Sequence, residues 1–94
     1  MVTKRYRMVL ASIAANVRGL REAQGLTQED LAERAEIDTR QVQRAEGAVI
    51  ELGVTKIVRL AEALGVDVGR IVQAVKTAKP REPVKTVKSR RSRP

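Results

Sequence analysis

The segment QEDLAERAEIDTRQVQRAEG, residues 28–47, contains two short stretches of helical periodicity separated by a turn of about three residues. Apolar residues recur on one face of each stretch and at the bend: Leu31, Ala32 and Ala35, then Ile37, then Val42 and Ala45. The pattern predicts two small amphipathic helices that share one corner. This geometry allows the second helix to lie in the major groove of DNA.

The outer face of the second helix is entirely polar and is formed by Thr39, Arg40, Gln43 and Arg44. Arg40 and Arg44 share one side of the helix, which suits two guanidinium groups directed at O6 and N7 of successive guanines. Thr39 can meet a thymine methyl group or a phosphate, and Gln43 can pair with adenine. Gln41 points sideways, and we expect it beside a phosphate. The alternatives are phosphate contacts only for the arginines, or solvated positions for all of these residues.

The length and composition favour one small all-α domain. A chain of 94 residues buries roughly 60% of its unfolded surface. With Tyr6 as the single aromatic residue, the core must be built from Leu, Ile, Val and Ala on closely packed helices. The chain has no Cys and no His, so we expect no disulfide, metal or cofactor. It also lacks a phosphate-cradling glycine loop, and we expect no enzymatic activity.

No apolar run approaches the roughly 20 residues of a membrane span, and the N-terminus lacks a signal-peptide core. We therefore expect a soluble, cytoplasmic protein without a membrane partner.

The charge of the chain is concentrated at its C-terminus. Residues 1–75 hold 11 of the 19 Lys and Arg and 10 of the 11 acids, whereas residues 76–94 hold 8 bases and one acid, Glu82. The last segment therefore carries +7 of the net charge of +8. A nearly neutral domain followed by a basic, flexible tail favours nucleic-acid binding, because counterion release draws such clusters to phosphates. A tail that only improves solubility is the alternative.

Helix one is predicted from the recurrence of Tyr6, Leu10, Ile13, Val17 and Leu20, and Gly25 ends it. Its start has two interpretations. Ser12 can be the N-cap of a short helix, or the helix can extend back through Tyr6. Residues 1–12 are accordingly an N-terminal extension or the start of helix one, and the domain proper covers residues 13–75.

Four further helices complete the domain. Thr27 and Asp30 form a capping box for helix two, about residues 28–35, and the Asp38 side chain is expected to cap helix three, residues 39–46. Helix four is indicated by Val54, Ile57, Leu60, Ala61 and Leu64, closed by Gly65, and helix five, capped by Asp67, by Val68, Ile71, Val72 and Val75.

Four motifs carry a family resemblance: LREAQG at 20–25, LTQEDLAERA at 26–35, RAEG at 44–47 and RLAEALGVDVGRIV at 59–72. Over residues 13 to about 75 the chain resembles the lambda-repressor-like, Cro/Xre-type helix-turn-helix family. The resemblance implies a compact five-helix domain that binds double-stranded DNA. It also implies that Gln28 binds a phosphate, that Thr39, Arg40 and Arg44 reach base edges, and that Arg21 pairs with Glu46.

Two of these implied roles have a physical basis. Gln28 lies where the N-terminus of helix two presents free amides and a favourable dipole to a phosphate; a solvated first-turn residue is the alternative. A pair between Arg21 and Glu46 would hold the recognition helix against helix one and neutralise a carboxylate that repels DNA.

Three positions depart from the family pattern. Glu36 occupies the place of a turn glycine, at a cost of roughly 1 to 2 kcal/mol if the backbone is left-handed. Ala45 replaces a larger aliphatic residue, which predicts a thin seam between helices two and three. The loop at residues 48–53 is apolar through Val49, Ile50 and Leu52, where relatives have a polar loop that contacts phosphates.

These features lead to a prediction and two alternatives. The prediction is a sequence-specific regulator, such as a repressor, that binds an inverted repeat as a homodimer through Val49, Ile50 and Leu52, with recognition helices about 34 Å apart. Those loop residues can instead fold onto the core. A protein-interaction adaptor, coactivator-like or antitoxin-like, would use residues 48–53 for a partner, and a non-specific nucleic-acid binder would rely on the tail.

Overall fold

The computed structural model describes residues 3–48 and 53–75 of the chain. These residues form five helices: α1 (Lys4–Ala23), α2 (Gln28–Ala35), α3 (Thr39–Glu46), α4 (Val54–Leu64) and α5 (Val68–Val72). The described part contains no β-strand. The predicted all-α, five-helix architecture is therefore confirmed. The loop residues Val49, Ile50 and Leu52 and the tail at 76–94 lie outside the described residues.

Helix α1 is the longer of the two versions that the sequence allowed. It begins at Lys4, and Thr3 is its N-cap, accepting a hydrogen bond from the backbone N–H of Tyr6 at 3.0 Å. Ser12 lies in the middle of the helix and is buried, so it is not an N-cap.

The caps of the shorter helices differ from one another. Thr27 and Asp30 form the predicted capping box of α2, with Asp30 N–H donating to Thr27 Oγ1 and Thr27 N–H to Asp30 Oδ2, both at 2.9 Å. Asp38 and Asp67 precede α3 and α5 as predicted, but neither side chain accepts a capping hydrogen bond. The prediction for the Asp38 side chain was therefore wrong. Both residues are exposed, so water can solvate their carboxylates instead.

The core takes one fully buried aliphatic side chain from each helix: Val17, Leu31, Val42, Leu60 and Ile71. Smaller buried residues, including Ala32, Ala35 and Ala45, let the helices approach closely. Ala45 is buried, so the seam between α2 and α3 is closed to solvent at that position. The aliphatic core expected from the composition is present.

The predicted apolar faces of α4 and α5 were partly wrong. Val54 is 75% exposed because it is the first residue of α4, and Val68 and Val72 are also exposed. Helix α5 ends at Val72, so Val75 lies beyond it. A helix of one and a half turns directs only one residue into the core, and that residue is Ile71.

Glu36, in the turn between α2 and α3, adopts the left-handed backbone conformation that this turn requires, although it is not glycine. Glu36 has φ 59° and ψ 45°, and its carbonyl accepts a hydrogen bond from Arg59 Nη1 at 3.1 Å. Ile37 follows and packs partly buried against the core. The turn therefore keeps its left-handed geometry without glycine.

Side chains of α1 bind the ends of α4 and α5. Gln24 Nε2 donates to the Leu64 carbonyl at 2.8 Å. Asn16 Nδ2 donates to the carbonyls of Ile71 at 2.7 Å and Gln73 at 2.8 Å. These bonds satisfy carbonyl groups that a helix end leaves without a partner. None of the helices in the described part is both long enough and apolar enough to cross a membrane.

Candidate nucleic-acid interface

Helix α3 has one face in the core and one face in solvent. Val42, Ala45 and Glu46 are buried. The predicted DNA-contacting residues lie elsewhere on the helix: Arg40, Gln43 and Arg44 are exposed, and Thr39 and Gln41 are half-buried. The fold therefore brings all five onto the accessible part of α3. They present guanidinium, amide and hydroxyl donors there, and the only acid of the helix is turned inward.

A bidentate ion pair holds the end of α3 against α1. Arg21 Nε lies 2.6 Å from Glu46 Oε2, and Arg21 Nη2 lies 3.0 Å from Glu46 Oε1. The third guanidinium nitrogen, Nη1, donates to the Leu26 carbonyl at 2.7 Å. The hydrogen bond with Glu46 raises the pKa of Arg21, although burial acts in the opposite direction. This pair fixes the orientation of α3 with respect to the rest of the domain.

Gln28 is the first residue of α2, and its side chain also reaches the end of α3. Its Nε2 donates to Glu46 Oε1 at 3.1 Å, a contact that the sequence did not predict. A carboxamide nitrogen has a second N–H, which this bond leaves for another acceptor. The bond also orients that donor beside the N-terminus of α2, where free amides and the helix dipole favour an anion.

Arg18 is a further cation beside Glu46, and the sequence predicted no role for it. Its Nε lies 3.6 Å from Glu46 Oε1, and its side chain is 58% exposed. The available signal was its spacing, because Arg18 precedes Arg21 by one helical turn and therefore lies on the same face of α1. Helix periodicity could place the two arginines together but could not place Glu46 between them and Gln28.

These features define a helix-turn-helix unit: two short helices joined by a tight turn, the second with a clamped inner face and a polar, cationic outer face. Within residues 3–48 and 53–75, no group of His, Cys, Asp or Glu is arranged to hold a metal ion.

Comparison with known families gives the same result. The helix-turn-helix family HTH_3, of the Cro/C1 type, matches residues 17–71. The chain belongs to this family, which is one of DNA-binding transcription regulators. The match begins within α1, so the first part of that helix lies outside it. No curated protein sequence matches the chain.

Solved structures with the same fold include a hypothetical transcription factor, NHTF, from Neisseria, with a TM-score of 0.68, 29% identity and coverage of 70% of this chain and 76% of that one. The restriction-modification controller protein C.AhdI from Aeromonas hydrophila has a TM-score of 0.64 and 31% identity, covering 66% and 94%. An HTH_3 family transcriptional regulator from Vibrio cholerae has a TM-score of 0.66 but 17% identity, covering 69% and 36%, and shares the fold alone.

Proposed function

We propose that this protein is a sequence-specific transcriptional regulator that reads double-stranded DNA with α3 in the major groove. The observation that carries the proposal is the division of α3 into a clamped inner face and an exposed face with Arg40, Gln43 and Arg44. A guanidinium group suits guanine O6 and N7, and a carboxamide suits adenine. Thr39 completes the base-reading set at the start of the helix.

We assign contacts with the DNA backbone to residues at the edge of the exposed face of α3. Gln28 offers its free carboxamide N–H, together with backbone amides at the start of α2. Gln41 lies half-buried on the side of α3 and is assigned to a neighbouring phosphate. The pair of Arg21 and Glu46 holds α1 and α3 together, and neither residue contacts bases.

The assembly that we propose is a homodimer on an inverted repeat. Its interface candidates are Val49, Ile50 and Leu52, which lie in an apolar connection between α3 and α4. Val68 and Val72 of α5 are exposed and offer a second copy of the chain further apolar surface. Sedimentation at tens of micromolar should show a dimer, and a monomer would remove this part of the proposal.

The protein is further proposed to act in the cytoplasm as a regulator without catalytic activity or a cofactor. The similarity to a transcription factor and to a restriction-modification controller protein supports this role. Because C.AhdI is a controller of restriction-modification, a locus of that kind is one setting in which to look for the operator of this protein.

Substitution of Arg44 by Ala tests the proposal. The wild-type protein first selects its preferred site from a library of randomised duplexes. A base-reading arginine should then lose about 1 to 3 kcal/mol of binding free energy on the selected duplex and little on a scrambled duplex. Arg34→Ala, which removes an exposed arginine from α2, is the matched control.

The other outcomes identify the competing functions. Equal losses on the selected and scrambled duplexes would indicate non-specific binding driven by charge and the basic tail. Failure of the wild-type protein to select any duplex would favour the adaptor function, in which residues 48–53 bind a protein partner.

A further inference from the structure

Two arginines, Arg18 and Arg21, lie beside Glu46, and the exposed carboxylate of Glu22 lies 3.7 Å from Arg21 Nη2. Arg21 alone satisfies both carboxylate oxygens of Glu46, at 2.6 Å and 3.0 Å, and its remaining nitrogen donates to the Leu26 carbonyl. The side chains of Arg21 and Glu46 are only 11% and 1% exposed. This pair is therefore neutral and complete in its hydrogen bonds without another residue.

Arg18 is the arginine of this cluster that the buried pair does not need. Its Nε is 3.6 Å from Glu46 Oε1, which is beyond hydrogen-bond distance, and its side chain is 58% exposed. A guanidinium that remains in solvent gains little free energy from a carboxylate that another arginine already neutralises. Its charge and its N–H donors are therefore left for an external anion.

Gln28 places this cation beside the proposed phosphate contact. Gln28 Nε2 donates to Glu46 Oε1 at 3.1 Å, and this is the same oxygen that Arg18 approaches. The two side chains therefore converge from α1 and α2 on one atom. The start of α2, where Gln28 lies, also offers free amide groups and the positive end of the helix dipole.

We infer that Arg18 is a phosphate-binding residue that contacts the same stretch of DNA backbone as Gln28, which Glu46 holds beside it by a hydrogen bond. The inference rests on the proposed function and names an additional contact on α1. A planar guanidinium matches the geometry of a phosphodiester. The loop at residues 48–53 contains no Lys or Arg, so a contact from α1 supplies positive charge that this loop lacks.

The test compares Arg18→Gln with Arg34→Gln in the full-length chain, since each substitution removes one exposed positive charge. Affinities are measured for the duplex selected by the wild-type protein and for a scrambled duplex of equal length, between about 50 and 200 mM salt. Removal of one phosphate-binding cation should reduce the slope of log K against log salt by about 0.9. The ratio of the wild-type affinity to the Arg18→Gln affinity should therefore fall by a factor of about 3.5 between about 50 and 200 mM salt, on both duplexes.

Two further variants complete the expected result. Arg34→Gln should keep the wild-type slope, and Arg18→Lys should keep most of it because the charge remains. Thermal unfolding of Arg18→Gln should match the wild type, because Arg21 still pairs with Glu46.

Four results would overturn the inference. If Arg18→Gln keeps the wild-type slope of log K against log salt, Arg18 has at most a structural role, whether or not the melting temperature is lowered. A loss confined to the selected duplex would make it a base-reading residue. An equal change in Arg34→Gln would show a general charge effect. If the wild-type protein binds neither duplex, the proposed function fails together with the inference, whereas the first three results remove the inference alone.

Discussion

Glu46 is the residue through which three helices are joined. It ends α3, and its carboxylate accepts hydrogen bonds from Arg21 of α1 and Gln28 of α2. The carboxylate is almost completely removed from solvent, so these hydrogen bonds replace the solvation that it loses on burial. Glu46 therefore contributes to the position of α3 more than to direct contact with DNA.

Substitution of Glu46 by Ala should lower the free energy of unfolding by about 3 kcal/mol, because it leaves the poorly exposed guanidinium of Arg21 without its carboxylate. Urea unfolding monitored by circular dichroism measures this change. Among molecules that remain folded, affinity for DNA should change much less than stability.

The double variant Arg21→Met, Glu46→Leu is the control for this prediction. Removing both charges should cost less than the sum of the two single substitutions, because no buried charge is left unpaired. Additive losses would contradict the assignment of the pair as one coupled unit.

Glu36 is strained by its backbone conformation. It has φ 59°, and its ion pair with Arg59, at 3.6 Å, joins two exposed side chains and contributes little. Substitution by Gly should relieve roughly 1 to 2 kcal/mol of left-handed strain, partly offset by the greater entropy of Gly in the unfolded chain. We expect a net gain of about 0.5 to 1 kcal/mol, measured from the urea midpoint at constant m value.

Glu33→Gly provides the comparison, because Glu33 is exposed inside α2, where Gly should destabilise by about 1 kcal/mol. If both substitutions destabilise the protein equally, the turn does not carry the strain that the backbone angle indicates.

At the scale of single elements, α2 and α3 depend on the rest of the domain. Each has eight residues, which is fewer than the roughly 12 to 15 that an isolated helix needs in water. Their boundaries nevertheless agree with the sequence, because caps and apolar spacing are local signals. The errors at Val54, Val68 and Val72 occur at helix ends, where periodicity alone does not show which residues reach the core.

The capping box of α2 makes stability depend on pH. The Thr27 backbone N–H and then its hydroxyl lower the pKa of Asp30 in the folded chain. Since this pKa lies below the unfolded value of about 3.9, the stabilisation is present above that value and is lost as the pH falls through the folded pKa. Asp30→Asn should therefore destabilise the protein at about pH 7 and make less difference at about pH 3, in urea unfolding at each pH.

Asp38→Asn removes the same charge from a helix N-cap whose side chain makes no capping hydrogen bond, so it controls for net charge. If wild type and Asp30→Asn differ in free energy of unfolding by the same amount at about pH 3 as at about pH 7, the Asp30 carboxylate does not account for the effect.

At the scale of the whole molecule, the folded domain and the basic tail are predicted to bind DNA additively. Residues 76–94 carry +7 of the net charge. Truncation after Val75 should flatten the salt dependence of DNA binding by about 0.9 for each phosphate that the tail no longer neutralises, as measured by affinity titrations at several salt concentrations.

The truncated chain should unfold at the same temperature as the full chain. Asn16 still binds the carbonyls of Ile71 and Gln73, and Ser12 Oγ still accepts the Val75 N–H at 3.1 Å. An unchanged salt slope in a folded, truncated protein would assign all of the phosphate contacts to the domain.

The sequence by itself determined the five helices, the capping box of α2, the division of α3 into two faces and the helix-turn-helix family. The helices, the capping box and the two faces of α3 follow from residues less than about two helical turns apart, so periodicity and capping chemistry are sufficient to find them. The family follows from the order and spacing of four motifs between residues 20 and 72. The pairing of Arg21 with Glu46 was predicted from the family resemblance, because no local pattern joins residues of α1 and α3.

Only the tertiary structure decided which polar residues meet. Asn16 binds carbonyl groups at the end of α5, and Arg18 and Gln28 converge on one oxygen of Glu46. The physical reason is that these contacts depend on the packing of helices far apart in the chain, and a polar residue on a helix surface carries no local sign of its partner. The same packing exposes Val68 and Val72, whose spacing alone had predicted burial.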